Sequence, residues 1–181
     1  VAYLRRTKNC FLEYSDKSDE FEILYGLESG QFKCIETNHN EDNNKFIFGD
    51  NLLVLKKLLD THKSKIDLVY IDPPFGTGQN FNSIDDDNAY SDKLIDSEFL
   101  EFLRKRLFVL RELLSEQGSI YLHIDKKIGH YVKIIMDEVF GKENFVVTII
   151  FTKTGAHAGE FLEPINNYVL WYCKNKKKSK H

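Results

Sequence analysis

The sequence predicts an α/β fold, a mainly parallel mixed sheet with helices on both faces, and three observations carry that expectation. Short apolar runs alternate with amphipathic helical patterns from residue 46 to residue 172, as they do where strands and helices alternate along a chain. One run, residues 66–71 (IDLVYI), is apolar enough for burial on both sides, like the strands of a parallel sheet. Two β runs, residues 145–151 and 167–172, follow each other across a loop and are expected to pair antiparallel at one end of the sheet.

Residues 21–36 (FEILYGLESGQFKCIE) read as two short strands around Gly30, a β-hairpin inside an N-terminal extension that covers residues 1–44. Polar residues 37–44 then mark a loop. A β-α-β unit follows: Phe46–Phe48 as a short strand, Asn51–Asp60 as a helix with Leu52, Leu55 and Leu59 on one face, and IDLVYI as the next strand. Beyond a polar loop at 76–96, Phe99, Leu103, Leu107, Leu110 and Leu114 recur at helical spacing. This should be the longest helix, with Ser97 as N-cap and Gly118 as its stop. SIYLHID (119–125) is a strand, and residues 126–141 supply a helix with Ile128, Tyr131, Ile135 and Val139 inward and Gly141 at its end. The loop between the last two strands, 152–166, is long for a structural connector.

Composition narrows the function classes. With 181 residues, 42% apolar and 29% charged, the chain suits one globular domain with a core of its own rather than a disordered segment. No apolar run approaches the roughly 20 residues of a membrane-spanning helix, and VAYLRRTKNC lacks a signal-peptide core. The expectation is a cytoplasmic protein with no membrane partner. Cys10, Cys34 and Cys173 are an odd number without a close pair, so neither a disulfide framework nor a zinc site is expected, and no metal. Twenty-five Lys and Arg against 28 Asp and Glu give a net charge of −3, so no overall basicity points to nucleic acid. The charge is uneven: residues 85–101 are acidic, and 174–181 (KNKKKSKH) form a basic tail that reads as a solvated terminus.

The chemistry concentrates in Asp72-Pro73-Pro74-Phe75, directly after IDLVYI and before Gly76-Thr77-Gly78. In open parallel sheets ligands bind beyond the carboxyl ends of the strands. Two prolines fix the backbone there and leave carbonyl acceptors without competing local donors. A carboxylate, a rigid carbonyl and an aromatic ring are thus presented together; a plain turn with Phe75 in the core is the competing reading.

The order of blocks NKFIFGDNLLVLKKLLD, IDLVYIDPPFGTGQNF, YSD, FLRKRLFVLRELLSEQGSIYLHID and IMDEVFGKENF resembles the amino-methylating DNA methyltransferases that use S-adenosylmethionine on adenine N6 or cytosine N4. The resemblance spans roughly residues 44–173, and is strongest to the circularly permuted β group found in restriction-modification systems. It implies a Rossmann-like methyltransferase sheet, a catalytic portion at 45–173, double-stranded DNA as substrate, and methyl transfer to the N6 amine of a flipped adenine. An exocyclic amine is a poor nucleophile because its lone pair is delocalised into the ring. Asp72 and the Pro73 carbonyl would accept its hydrogens and localise that lone pair, Pro74 would keep the segment rigid, and Phe75 would stack on the extruded base. Such stacking is worth roughly 1–3 kcal/mol, comparable to the few kcal/mol that flipping costs.

The acidic first residue favours adenine over cytosine N4, where serine is commoner in the family; N4-cytosine methylation is the alternative. None of the three cysteines follows a proline, so C5 methylation is not indicated. Asp50 reads as the N-cap of the helix that starts near Asn51, and the family places the Asp50–Asn51 position beside the adenine of the cofactor. His123 and Asp125 sit at the end of another strand, either touching the substrate or serving structure. Tyr90, Ser91 and Asp92 suit a lid or a DNA contact, while Lys127, Lys133, Arg104, Arg106 and Arg111 read as a solvated face.

The resemblance breaks at the cofactor glycine loop, Phe-x-Gly-x-Gly, which the sequence lacks. In the permuted group that loop lies C-terminal to a target-recognition region, and both would follow residue 173. The expectation is therefore an N-terminal catalytic portion with an incomplete sheet. A C-terminal complementing half or a restriction subunit is the expected protein partner. A truncated, non-catalytic remnant that binds nucleic acid or a subunit is the reading from a different class.

Overall fold

A computed structural model of the chain describes residues 11–26, 31–33, 44–73, 93–152 and 166–179. The elements are α1 (Glu20–Tyr25), α2 (Asn51–His62), β1 (Ile66–Ile71), α3 (Lys93–Leu113), β2 (Leu114–Ile124), α4 (Gly129–Phe140), a 3-10 turn at Lys142–Asn144, β3 (Phe145–Thr152) and β4 (Asn166–Cys173). The strands form one mixed sheet in the order β1-β2-β4-β3. β1 runs parallel to β2, whereas β4 is antiparallel to both β2 and β3. The α/β class and the antiparallel pair at one end thus agree with the sequence.

One face of the sheet builds the core. Ile120, Leu122 and Ile124 on β2 stand opposite Tyr172, Leu170 and Tyr168 on β4. They pack with Leu103 and Leu107 of α3 and Val132, Ile135, Met136 and Val139 of α4, most of them without solvent contact. Alternation then puts Leu68, Tyr70, Tyr121, Trp171, Val147, Ile149 and Phe151 on the opposite face. Tyr121 and Trp171 stack there at 5.1 Å between ring centroids. Leu68, Tyr70, Val147, Ile149 and Phe151 are exposed. Among the described residues the helices therefore account for one face only.

Several boundaries differ from the sequence reading. Residues 20–25 are helical rather than a strand: Asp19 caps the turn by accepting from the Phe21 N–H at 2.8 Å, and Ile23 is buried. Most of the rest of the expected hairpin lies outside the described residues. Phe46–Phe48 is not a strand. A strand exists only through a neighbour, and this segment has none among the described residues, which leaves Phe46 94% and Phe48 91% exposed. Helix α3 starts at Lys93, one turn before Ser97, because Lys93-Leu94-Ile95-Asp96 contains no helix breaker.

Gly118 does not stop α3. It lies within β2, in an irregular stretch where Ile66 pairs with Leu114 but Leu68 already pairs with Ser119. A Cβ on Gly118 would meet the Ile66 carbonyl oxygen at 2.8 Å, so glycine is needed for the approach of β1. Gly141 does end α4, at φ 87° with its N–H on the Asp137 carbonyl. Tyr131, expected inward, is 48% exposed.

The arginines of α3 are not a solvated face. Arg104 is only 4% exposed and donates to Glu138 at 2.9 Å, to Glu101 and to the Ser18 carbonyl. Tyr14 donates to Glu101 at 2.6 Å and Lys17 pairs with Glu138 at 2.9 Å. Arg111 reaches Glu20 at 2.6 Å and the Val139 carbonyl. The N-terminal segment is thereby pinned to α3 and α4. Lys133 likewise pairs with Asp137 at 2.8 Å. In the basic tail Lys174 is half-buried and donates to the Leu114 carbonyl, whereas Lys176 and Lys178 are exposed, as a solvated tail is, and reach the Phe145 carbonyl and Glu116 (2.9 Å) from the surface.

Candidate active site

Strand directions collect the candidate residues on one edge of the sheet. β1 and β2 are parallel, so Asp72 and Asp125 follow their carboxyl ends on the same side. β4 runs against β2 and brings its first residues, Asn166 and Asn167, to that edge; β3 runs against β4 and brings Phe151 and Thr152. Helix α2 returns into β1 through the short link at 63–65, which places Asp50 and Asn51 at the same edge.

Asp72 stands one register step beyond the Ile71–Leu122 pair, beside His123. Its side chain is 55% exposed, and its Oδ1 lies 2.8 Å from His123 Nδ1. The other imidazole nitrogen, Nε2, lies 2.8 Å from the Asn167 side-chain amide nitrogen. The Phe151 ring packs on the imidazole at 5.2 Å between centroids. A solvent-facing carboxylate is thus tied through a mostly buried imidazole to a buried amide. Pro73 follows Asp72 at the edge, while Pro74 and Phe75 lie outside the described residues, as do Tyr90, Ser91 and Asp92.

Asp50 is the N-cap of α2: its Oδ1 accepts from the N–H groups of Leu52 at 2.9 Å and Leu53 at 3.1 Å. Its Oδ2 lies 3.6 Å from Arg106 Nη2, and Arg106 Nε donates to the Asn51 side-chain oxygen. Burial holds the Arg106 guanidinium below its ordinary pKa, with Asp50 opposing that shift. The Arg106 guanidinium also lies over the Phe102 ring. The Asp50–Asn51 pair is therefore a polar corner contacted from α3 by an arginine that the sequence reading left in solvent.

Asp125 serves structure. Its Oδ1 accepts from the Lys127 and Ile128 N–H groups at 2.9 and 3.2 Å, turning the chain from β2 into α4. Asn167 and Phe151 were not singled out from sequence. Period-two alternation puts Asn167, Phe151 and His123 on one face, but only the strand register brings them together. Among the described residues no cluster of three or more His, Cys, Asp or Glu could hold a metal, and no helix is long and apolar enough to cross a membrane. Cys173 is buried against Ser119; Cys10 and Cys34 lie outside the described residues.

Comparison with known proteins identifies the family. Residues 66–181 match the family model described as DNA methylase, which joins N6 and N4 enzymes. The chain is 36% identical over 172 residues to the type II methyltransferase M.EcaI of Enterobacter cloacae, covering 92% of this chain and 38% of that protein. It is 31% identical over 167 residues to the EcoPI Mod subunit, part of a type III restriction-modification enzyme from Escherichia phage P1, covering 78% of this chain and 26% of that one. Among solved structures, the PvuII DNA methyltransferase (cytosine-N4-specific) aligns with a TM-score of 0.49 and 16% identity over 68% of this chain and 47% of its own. The chain thus spans well under half the length of these curated relatives. On the family model and the relatives together, the chain belongs to the N6/N4 DNA methylase family.

Proposed function

We propose that this chain is the catalytic portion of a restriction-modification DNA methyltransferase that transfers a methyl group from S-adenosylmethionine to the N6 amine of an adenine flipped out of duplex DNA. The observation that carries the reading is the Asp72 carboxylate, half exposed at the carboxyl edge of the sheet, with one oxygen engaged by His123 and a proline after it. An aspartate rather than a serine at this position supports adenine over cytosine.

The residues present fit the nucleoside end of the cofactor. Asp50 keeps 54% of its side chain exposed while its position is set by the α2 N–H groups and Arg106, so its carboxylate is available to ribose hydroxyls or an adenine amine. Asn51 stands beside it. When bound, the cofactor supplies a methyl group activated by a sulfonium. The chain's own contribution is positional: Asp72 and the Pro73 carbonyl accept the two hydrogens of the amine, which turns its lone pair out of conjugation and toward the methyl. Phe75 offers an aromatic platform for the base. Holding reactants in a near-attack geometry of this kind can supply about 7–11 kcal/mol of a barrier. General-base help from Asp72, at most about 10²–10⁴-fold, comes second.

Duplex DNA is the proposed substrate. A restriction subunit is the proposed partner, since one relative is named a Mod subunit. The test is incubation of the complete protein with duplex DNA and methyl-labelled S-adenosylmethionine, followed by nucleoside analysis. N6-methyladenine is expected, and N4-methylcytosine alone would overturn the adenine assignment.

A further inference from the structure

We infer that His123 and Asn167 are positioning residues that orient the Asp72 carboxylate toward the substrate amine; the inference rests on the role proposed for Asp72 above. Asp72 follows the last residue of β1, which is the edge strand among the described residues, and is more than half exposed. A carboxylate in that setting samples several rotamers, and ordering a side chain has an entropic cost. The structure removes that freedom from one side. His123 projects from β2 onto the same face, one strand in from the edge, and meets Oδ1 at 2.8 Å.

The imidazole is itself held in one state. The Asn167 amide nitrogen can only donate, so its 2.8 Å contact makes Nε2 an acceptor. The ring hydrogen then sits on Nδ1, pointed at Asp72. Asn167 is 3% exposed, and the Phe151 ring backs the imidazole at 5.2 Å, so neither group swings freely. With Oδ1 committed to His123, the amine meets Oδ2. A buried amide on β4 thereby sets the tautomer of a histidine on β2, which sets the rotamer of the carboxylate after β1. The same logic orients catalytic and metal-binding histidines elsewhere, where the hydrogen bond at one nitrogen decides the role of the other.

The test is steady-state kinetics on the complete protein with duplex DNA. His123→Leu should lower kcat about 10–100-fold, the order expected for a misplaced reacting group, with the KM for S-adenosylmethionine within about 2-fold of its original value. His123→Asn places an amide donor where Nδ1–H stood and should recover most of that loss. His123→Gln places its amide toward Asn167 instead and should not. Asn167→Leu removes the donor to Nε2, so 15N spectra of the imidazole should lose the pure Nδ1–H signature. Unchanged kcat in His123→Leu, or equal damage from Asn and Leu at position 123, would overturn the inference. Asp72→Ala, which removes the acceptor oxygens, is the control: if it retains full turnover, the reading of Asp72 fails. If it is inactive while His123→Leu is fully active, only the positioning role fails.

Discussion

Tyr14 shows how far a single side chain can depart from its sequence context. Burial first, and then its hydrogen bond to Glu101, push its hydroxyl pKa well above the ordinary 10.0. The folded form stays protonated while the unfolded chain ionises, so this stability is fully present below about pH 10 and is lost as pH rises beyond it. Tyr14→Phe should flatten the alkaline decline, read as the difference between urea midpoints at about pH 8 and about pH 11. Equal declines in the two proteins would contradict this. At the same scale, Asp72 and Asp50 were legible because proline neighbours and a capping position mark them. Asn167 was not, since an asparagine at the start of a strand has no local signature. Its importance arises from a diagonal neighbour on β2, which lies 44 residues away in sequence.

At the scale of elements, periodicity found the helices and strands that bury a continuous stripe. α3, β1 and α4 fall close to where the leucine and isoleucine spacings put them. Periodicity failed where tertiary contacts decide. FEILY reads as a strand from its apolar residues but is helical, fixed by the Asp19 cap and by Arg111 reaching Glu20. Phe46–Phe48 carries strand residues without a described neighbour to pair with. Gly118 looked like a helix stop but is required by the closeness of Ile66. Gly118→Ala should therefore cost about 1–3 kcal/mol in denaturant unfolding, because the added methyl group forces β1 and β2 apart. Alanine at no cost would mean that the strands relax without strain.

For the whole molecule, the decisive feature is an apolar sheet face without a described cover. Leu68, Tyr70, Val147, Ile149 and Phe151 lie on it, and β1 leaves one edge unpaired among the described residues. Apolar patches of this kind mark surfaces that associate. The 181-residue chain in isolation should self-associate, so that light scattering shows species above the monomer mass of 21.2 kDa. A clean monomer that binds no hydrophobic dye would contradict that. The same face ends at the edge where Asp72, His123, Phe151 and Asn167 meet. The apolar surface and the proposed chemistry thus belong to one side of the sheet.

Asp72 joins the fold to the proposed reaction, and its substitution separates chemistry from binding. In the complete protein, Asp72→Ala should reduce methyl transfer to duplex DNA at least about 10³-fold, the upper range for a single positioned group. Affinity for S-adenosylmethionine, measured by calorimetry on the same protein, should stay within about 3-fold, since Asp72 is assigned to the amine rather than to the cofactor. Turnover that persists in the variant would contradict the account.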